Sequence, residues 1–426
     1  MNTNEMSIYI HIPFCVKKCE YCDFLSGVYD VDVQRNYVQA LCKEIKYMGQ
    51  RLEGVVVPSI FIGGGTPSWL DGDLIELIMK TAYEVFDVPG SAEVTIECNP
   101  GTVTEEKFYS IRRAGINRIS IGLQSANDEE LQLLGRIHDY NQFLKTFEMA
   151  RKTGFTNINI DIMTGLPGQT KEKLLNTLQN ITYLKPAHIS AYSLIVEPGT
   201  PFYDKYIDDV KRREMGKPTI YLPNEDQEYE LTNMAKEFLR QKGYHQYEVS
   251  NFARDGYECE HNKVYWSRGQ YIGFGIGAAS LIGDTRYHNL TNIYEYIEKC
   301  NKLPILQESK LEDPYNDKTS DYEIRGNVND ETATDNDQVL YLWDSSQKLS
   351  RHEQMEEFMF LGLRMNEGIS REDFKNDFGC EIEAIYKEVI EKLQGQGLLL
   401  MDGGRIFLTE KGQDISNVVL AEFLLD

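Results

Sequence analysis

Residues 7–22 read SIYIHIPFCVKKCEYC, a stretch that combines a strand with a compact cysteine loop. Ser7 to Ile12 is a short run rich in β-branched residues, which favours a β-strand. The run ends at Pro13, and three cysteines follow it at Cys15, Cys19 and Cys22. The strand therefore leads directly into a loop that carries three thiols.

The spacing C-x3-C-x2-C indicates a metal centre. The chain has eight cysteines, and the other five are scattered along it. In a reducing compartment, grouped cysteines are more typical of metal binding or catalysis than of disulfides. Three thiolates on one tight loop can bind three irons of a [4Fe-4S] cluster and leave the fourth iron open. The alternative is a structural zinc site, whose fourth ligand would be Asp23 or His11.

Strand-like and helix-like segments alternate over the first half of the chain. The strand-like segments are Ser7 to Ile12, Val57 to Ile62, Ala92 to Glu97, Arg118 to Gly122, Thr156 to Met163 and His188 to Leu194. The helix-like segments include Val33 to Met48, Asp71 to Phe86, Thr104 to Ala114, Asn127 to Leu134 and Lys171 to Leu184. Six units of this kind predict an α/β fold with a parallel sheet, an open partial (βα)6 barrel.

Distinctive residues follow the predicted strands. The cysteine loop follows the first strand, Gly63-Gly64-Gly65 follows the second, Glu97 ends the third and Gln124 follows the fourth. Loops at the carboxyl ends of parallel strands meet on one face of such a fold. The sequence therefore predicts a functional site on that face.

The rest of the chain divides into three parts. A helix from Glu225 to about Lys242 precedes Tyr- and Gly-rich sequence through Asn289, which we expect to add strands to one edge of the sheet, so that the core spans residues 1–305. Residues 313–344 hold nine acidic and two basic residues and predict a disordered insertion. Residues 350–426 predict three helices and a hairpin, the order of a winged-helix-like domain.

The charge composition argues against some classes of binding partner. Lys plus Arg total 44 and Asp plus Glu total 67, a net charge of -23. Nucleic acids and anionic membranes need a basic footprint, so neither is expected as the main partner. The C-terminal segment has eight basic and sixteen acidic residues, which argues against DNA binding there as well. No apolar run approaches a membrane span, and we expect a cytoplasmic protein.

The motifs at the strand ends resemble those of radical SAM enzymes. Tyr9 to Phe14 precede the cysteine loop as they do in that family, in which the open iron binds S-adenosylmethionine. The further matching positions are Tyr21, Gly64, Gly65, Thr66, Glu97, Gln124, Arg136 and Asp161. The resemblance implies that these residues and Tyr9 contact S-adenosylmethionine. Acidic groups suit ribose hydroxyls, and arginine suits a carboxylate.

A narrower resemblance is to the oxygen-independent coproporphyrinogen III dehydrogenase family, and it covers nearly the whole chain. It is carried by residues 10–15, 63–68, 165–170 and 192–194. The family has two main branches, the dehydrogenase and a heme chaperone. The dehydrogenase pattern has a further cysteine where this sequence has Phe24, and it has a long N-terminal extension where only fourteen residues precede Cys15. Both departures favour the chaperone branch.

One further motif favours the chaperone. His261-Asn262-x-x-Tyr265-Trp266 is similar to the heme-binding motif of that branch, in which the histidine is the candidate iron ligand. An imidazole beside aromatic side chains suits a metalloporphyrin. A structural histidine is the alternative interpretation, and Cys259 is a second, weaker candidate ligand.

The resemblance implies a heme chaperone that transfers heme to an acceptor protein, which could itself be membrane-associated. Its implied cofactors are a [4Fe-4S] cluster and S-adenosylmethionine. Whether it also catalyses a reaction stays open at this point. Two alternatives remain: an anaerobic coproporphyrinogen III dehydrogenase, and a winged-helix regulator that senses S-adenosylmethionine or heme.

Overall fold

The structure, a computed structural model, describes residues 4–304 and 342–425. Its centre is a row of six parallel strands that pair in chain order. They are β1 Ser7–Ile12, β2 Ser59–Gly64, β3 Glu93–Cys98, β4 Arg118–Gln124, β5 Asn157–Thr164 and β6 His188–Ser193. Each predicted strand is present within a few residues of its expected position, and the parallel sheet of βα units is confirmed.

Helices connect these strands. They are α1 Val31–Gly49, α2 Gly72–Val85, α3 Glu105–Arg113, α4 Asp128–Leu133, α5 Tyr140–Lys152 and α6 Lys171–Tyr183, with a short 3-10 helix at Pro67–Trp69. Several begin at a polar cap: the side chains of Asp30, Thr104 and Thr170 each accept from a backbone amide three residues later. Such caps satisfy amides that a helix leaves unpaired at its first turn.

Six further strands extend the sheet on both sides. They are β7 His245–Gln246, β8 Asn251–Ala253, β9 Tyr271–Phe274, β10 Ala279–Ile282, β11 Thr285–Asn289 and β12 Trp343–Lys348. The order across the sheet is β12-β11-β10-β9-β1-β2-β3-β4-β5-β6-β8-β7. The first and last strands of this order are edges, so the barrel is open, as predicted.

Helices accompany this extension. They are α7 Pro201–Glu214, α8 Glu225–Gln241, α9 Glu260–Trp266 and α10 Ile293–Asn301. Helix α8 confirms the helix expected from Glu225. Helix α9 lies in sequence for which only strands were expected, because its seven residues are too few to produce a clear helical period.

The predicted acidic insertion lies largely outside the described residues. Its last residues do not: Trp343 begins β12, which pairs antiparallel with β11. The expected boundary at residue 344 is therefore too late, because the sheet resumes at Trp343.

The C-terminal region has the predicted order of elements. They are α11 Arg351–Gly362, β13 Ile369–Ser370, α12 Arg371–Phe378, α13 Glu383–Gly395, β14 Leu399–Asp402, β15 Arg405–Leu408, α14 Glu410–Asp414 and α15 Ser416–Ala421. The strands form a separate sheet in the order β13-β15-β14. The region also has its own apolar core, which includes Phe358, Phe374 and Tyr386. The winged-helix-like arrangement is confirmed, with β13 as an additional short strand.

Buried charges join this region to the rest of the protein. Glu357 on α11 lies 2.9 Å from Arg286 on β11 and 3.5 Å from Arg268, just after α9. Arg364 stacks on Trp266 of α9, with its guanidinium carbon 5.2 Å from the ring centroid. The C-terminal domain therefore packs against the segment that contains the His261 motif.

A large apolar core fills the space between the sheet and its helices. The central strands are buried on both faces, and isoleucine recurs at alternate positions along them, as at Ile8, Ile10 and Ile12 of β1. In the part of the chain that the structure describes, no helix is both long enough and apolar enough to cross a bilayer.

Candidate functional site

Backbone hydrogen bonds close the cysteine loop at its base. The amide of Cys15 donates to the carbonyl of Gly27 at 2.9 Å, and the amide of Gly27 donates to the carbonyl of Pro13 at 2.9 Å. Within the loop, the amide of Cys22 donates to the carbonyl of Cys19 at 3.3 Å. Cys15 is buried, whereas Cys19 and Cys22 are partly exposed. The loop thus holds three thiols beyond the carboxyl end of β1 and leaves two of them accessible.

Gly64 and Gly65 let the end of β2 approach this loop closely. A Cβ added to Gly65 would lie 2.9 Å from Sγ of Cys15, and one added to Gly64, where φ is 118°, would lie 2.7 Å from Cε1 of His11. Only glycine tolerates both the contact and the conformation. The hydroxyl of Thr66 donates to Sγ of Cys15 at 3.8 Å. These residues form a cradle beside the cysteines.

Glu97 and Asp161 are two partly buried carboxyl groups, the first near the carboxyl end of β3 and the second in the middle of β5. Glu97 accepts from the amide of Gly64 at 3.1 Å. Burial and the charge of Asp161 raise the pKa of Glu97 to about 8. Burial also raises the pKa of Asp161, although hydrogen bonds from Ser120 and Asn159 oppose that rise. Glu97 is therefore mostly protonated at neutral pH, and a cation beside it would favour its ionised form.

Gln124 ends β4 in a conformation that is rare for a residue with a side chain. Its φ is 73°, and the register of β4 against β5 shifts between Gly122 and Gln124. The side-chain oxygen of Gln124 accepts from the hydroxyl of Tyr192 on β6 at 3.0 Å. The irregular strand end thus directs this amide toward β6, across the end of the sheet.

Arg136 connects the cysteine loop to the strand ends. Its Nη1 lies 3.7 Å from Sγ of Cys19 and 3.5 Å from the hydroxyl of Tyr21. Its Nη2 donates to the side chain of Asn99 at 2.5 Å and to the carbonyl of Gly122 at 2.6 Å. Its Nε is buried and has no hydrogen-bond partner among the described residues. A buried, unpaired guanidinium N–H can donate to an oxygen of an anionic ligand.

A cavity of about 220 Å³ lies beside these carboxyl groups. It is lined by Phe61, Glu97, Arg118, Ser120, Asn159, Asp161, Ser190, Tyr192, Ser250, Asn251 and Asn262. Most of these side chains are polar, and the volume is smaller than the ~300–1,000 Å³ of pockets that enclose drug-sized ligands. The cavity suits a small polar group better than a whole porphyrin.

Tyr9 lies within β1 and closer to the middle of the sheet. Its hydroxyl lies 3.0 Å from Nδ1 of His11, and Nε2 of His11 lies 2.8 Å from the carbonyl oxygen of Leu25 in the cysteine loop. The ring of Tyr9 stacks on Phe61 at 6.5 Å, and Phe61 in turn lies 5.3 Å from the ring of His261. Aromatic side chains thus extend from the cysteine loop to the far end of the sheet.

His261 lies at the opposite end of the sheet from the cysteines. Its Nδ1 is 2.9 Å from the hydroxyl of Ser59, the first residue of β2, and its Nε2 is 2.9 Å from the hydroxyl of Tyr265. With a rise of about 3.3 Å per residue, the length of β2 places Ser59 about 17 Å from Gly64. Gly64 and Gly65, which are predicted to contact S-adenosylmethionine, lie beside the cysteine loop. His261 is separated from them by about the length of the strand.

The imidazole of His261 is a buried, neutral group in this conformation. It is 1% exposed, and burial lowers its pKa to about 3. Because the hydroxyl of Ser59 donates to Ser7 at 2.8 Å, Nδ1 of His261 is the donor to Ser59 and Nε2 accepts from Tyr265. This geometry is the one expected if His261 is a structural histidine and not an iron ligand. To bind iron through Nε2, His261 would have to lose its hydrogen bond from Tyr265.

Cys259, the other candidate ligand on this segment, is also buried. Its thiol donates to Glu93 at 3.3 Å, and burial raises the pKa of the thiol to about 12. A thiolate ligand must be deprotonated, so this environment opposes iron binding by Cys259.

Sequence reasoning missed residues that hold the site together. Asn99, the hydrogen-bond partner of Arg136, directly follows β3, the strand that contains Glu97. Its position after a strand end is the feature of the sequence that could have identified it. Tyr192 belongs to a run that carried the family resemblance, but its contact with Gln124 depends on the pairing of nonadjacent segments. Such contacts leave no local pattern in the sequence.

Comparisons with known proteins agree with this geometry. The family model described as "Radical SAM superfamily" matches residues 9–181, and "HemN C-terminal domain" matches residues 349–415. The solved structure of coproporphyrinogen III oxidase (HemN) from Escherichia coli has a TM-score of 0.76 and covers 99% of this chain and 90% of its own. At 23% identity this likeness concerns the fold.

Curated relatives define the family more narrowly. The heme chaperone HemW of Escherichia coli is 40% identical over 274 residues, 64% of this chain and 69% of that protein. The heme chaperone HemW of Bacillus subtilis is 34% identical over 420 residues. Because that match covers 98% of this chain and 99% of the relative, the chain belongs to the HemW family of the radical SAM superfamily.

Proposed function

We propose that this protein is a heme chaperone, which binds heme and delivers it to an acceptor protein. The observation that carries the proposal is the match over nearly the full length of both chains to relatives named heme chaperone HemW. Phe24 stands where the dehydrogenase pattern has a fourth cysteine, which also supports a chaperone over a dehydrogenase. The acidic C-terminal domain argues against a DNA-binding regulator.

Cys15, Cys19 and Cys22 are the proposed ligands of a [4Fe-4S] cluster. Their loop is closed at its base by backbone hydrogen bonds, which keep the three cysteines on one short segment. The donor set fits a cluster with one open iron, since three thiolates can bind three of its four irons. With S-adenosylmethionine on that iron, the cluster supplies electron-transfer or radical chemistry.

The remaining strand-end residues are the proposed binding site for S-adenosylmethionine. Gly64 and Gly65 leave space beside Cys15 that a Cβ would fill. The unpaired Nε of Arg136 suits a carboxylate, and Glu97 and Asp161 suit hydroxyls and a positive charge. Tyr9, Tyr21, Thr66 and Gln124 complete this proposed set.

His261 is the proposed heme-iron ligand, and the structure defines a condition for that role. The lone pair of Nε2 is occupied by the hydroxyl of Tyr265. Heme binding by His261 therefore requires a local rearrangement of helix α9. Such a rearrangement costs about 1–3 kcal/mol for each buried hydrogen-bonding group that it leaves unpaired.

We propose that the protein works in the cytoplasm. All eight cysteines, each within the described ranges, are free thiols. A reducing compartment maintains thiols in that form and lets grouped cysteines bind iron. Its proposed partner is a heme-accepting protein.

Anaerobic reconstitution tests the cluster. We expect about four irons per chain, and a change in the EPR signal of the reduced cluster when S-adenosylmethionine is added. Cys19→Ser should abolish the cluster, whereas Cys380→Ser, at a half-buried cysteine of the C-terminal domain, should retain it. A reconstituted protein that contains zinc alone would contradict the cluster assignment.

A second measurement separates the chaperone from the dehydrogenase. The reconstituted protein should bind heme stably and should leave coproporphyrinogen III unchanged under reducing, anaerobic conditions with S-adenosylmethionine. A chaperone must bind the metallated porphyrin, whereas the dehydrogenase acts on an iron-free precursor. Steady decarboxylation of the precursor would overturn the proposal.

A further inference from the structure

A continuous line of hydrogen bonds runs beneath Asp161. Asn159 donates through Nδ2 to Asp161 at 2.7 Å, and its Oδ1 lies 2.7 Å from Nδ1 of His188. Nε2 of His188 lies 2.9 Å from the hydroxyl of Tyr247, which accepts from the amide of Cys259 at 3.2 Å. Asn159 and His188 are buried almost completely, and Tyr247 is nearly so. The line thus joins the N-cap of α9 to a carboxylate on β5.

The direction of each hydrogen bond is fixed by the carboxylate. Asp161 can only accept, so the amide nitrogen of Asn159 must face it and the amide oxygen must face His188. His188 must then carry its proton on Nδ1 and accept on Nε2. Tyr247 therefore donates to His188 and accepts from Cys259. Every donor in the line points toward Asp161.

The protonation state of His188 is consistent with this order. Burial and the nearby charge of Arg118 hold the pKa of His188 well below its usual range, so the ring is neutral. A neutral imidazole has one donor and one acceptor, which is what the line requires. A protonated ring would place a second N–H against the hydroxyl proton of Tyr247.

The line of hydrogen bonds determines the orientation of the Asp161 carboxylate relative to the cavity. One carboxylate oxygen accepts from Asn159, and the other accepts from the hydroxyl of Ser120 at 2.9 Å. Both bonds come from the neighbouring side chains of the sheet, and Asp161 itself lines the cavity. The carboxylate is therefore fixed by side chains that line the same cavity, and its remaining lone pairs are available to a ligand there.

We propose that Asn159, His188 and Tyr247 are positioning residues that orient Asp161 toward the ribose hydroxyls of S-adenosylmethionine. The inference rests on the proposed function, in which Asp161 contacts that ligand. His188 and Tyr247 do not line the cavity, whereas Asn159 lines it beside Asp161. Their effect on binding passes through the orientation of one carboxylate, and it should therefore depend on the hydroxyls that the carboxylate recognises.

The test compares S-adenosylmethionine with its 2′,3′-dideoxy analogue by equilibrium dialysis on the reconstituted protein. Wild type should prefer the natural ligand by about tenfold to a hundredfold, the range for hydrogen bonds to a charged group. Asp161→Asn should lose most of this preference. Tyr247→Phe and Asn159→Ala should reduce this preference at least about fivefold and should change the affinity for the dideoxy analogue little. Comparing both ligands in wild type and variant forms a thermodynamic cycle, which isolates the part of the binding energy that depends on both the hydroxyls and the substituted residue.

Tyr244→Phe is the matched control. Tyr244 is a buried tyrosine next to β7, and its hydroxyl donates to the carbonyl of Pro186 at 2.8 Å, outside the line. This variant should keep the wild-type preference. If Asp161→Asn loses the preference while Tyr247→Phe and Asn159→Ala keep it, the positioning role is wrong and the proposed ligand site stands. If Asp161→Asn also keeps it, the role of Asp161 fails, and the inference fails with it.

A second measurement reads the protonation state of His188 in the wild-type protein. In protein with nitrogen-15-labelled histidine, the signals of His188 should report a proton on Nδ1 and none on Nε2. His188→Gln identifies those signals by their loss. A proton on Nε2 in wild type would reverse the line and overturn the inference.

Discussion

At the scale of the residue, Glu97 gives the site a dependence on pH. Its pKa is raised to about 8 by burial and by Asp161, so below that pH the free protein carries a proton there. A cationic ligand favours the carboxylate and displaces this proton. The affinity for S-adenosylmethionine should therefore rise as pH increases toward 8, by at most about tenfold per pH unit for one proton, and then level off.

The comparison that checks this expectation is Glu97→Gln. Any titration of the ligand is common to both proteins, so the difference between their pH profiles belongs to Glu97. Dissociation constants measured from pH 6 to pH 9 should converge toward low pH and diverge toward high pH. Parallel profiles would mean that Glu97 does not titrate with binding.

His261 offers a second prediction at this scale. Because Tyr265 donates to Nε2 of His261, Tyr265→Phe removes the group that competes with iron for that lone pair. Heme affinity in a Soret titration should rise by about twofold to tenfold, the value of one neutral hydrogen bond. His261→Ala should abolish or strongly shift the Soret band and leave the cluster spectrum intact. An unchanged band in His261→Ala would remove this residue as the iron ligand.

Single residues were predictable where a strand end or a dense motif marked them. Cys15, Glu97 and Arg136 were found in this way, because each lies in a run that is unusual in itself. His188 and Asn159 were not found, since each is an ordinary polar residue within a strand. Their role arises only when β5 and β6 pair and place them side by side.

At the scale of the element, helix α11 joins the two domains through Glu357. Its carboxylate is the counter-charge of Arg268, which is as deeply buried, and of Arg286, which is partly exposed. Glu357→Gln leaves both guanidinium groups without that charge. We expect a loss of about 3 kcal/mol in the free energy of unfolding, at the lower end for a broken buried pair because Arg286 can reach water.

Urea unfolding provides the measurement for Glu357, with Glu391→Gln as its control. Glu391 forms an exposed pair with Lys387 on α13, at 3.8 Å. Such pairs contribute little, so this variant should stay within about 0.5 kcal/mol of wild type. Equal stability of the two variants would show that the buried pair contributes no more than the exposed one.

Most elements could be predicted because their patterns are long or strongly biased. The isoleucine-rich parallel strands and the amphipathic helices between them are examples. Helix α9 and strand β13 were missed, because elements of seven and two residues show no period. The beginning of β12 was missed for another reason: polar residues such as Asp344 and Ser345 are exposed on an edge strand, where they resemble the acidic sequence before them.

At the scale of the whole molecule, the sheet separates two proposed sites and also connects them. S-adenosylmethionine would bind at the carboxyl ends of the strands, and heme would bind at His261, near the other ends. Helix α9 contains His261, and the amide of its N-cap Cys259 begins the line of hydrogen bonds that ends at Asp161. A rearrangement of α9 on heme binding should therefore disturb the carboxylate that the other ligand needs.

The final prediction is that the two ligands weaken each other's binding. Saturating heme should raise the dissociation constant of S-adenosylmethionine by about twofold to thirtyfold, the range of couplings carried by such networks. By thermodynamic linkage, saturating S-adenosylmethionine must raise the dissociation constant of heme by the same factor. Tyr247→Phe interrupts the line and should bring both factors toward one, whereas Tyr244→Phe should leave them unchanged. Ligands that bind independently in wild type would mean that heme binds without moving α9, or that it binds away from His261.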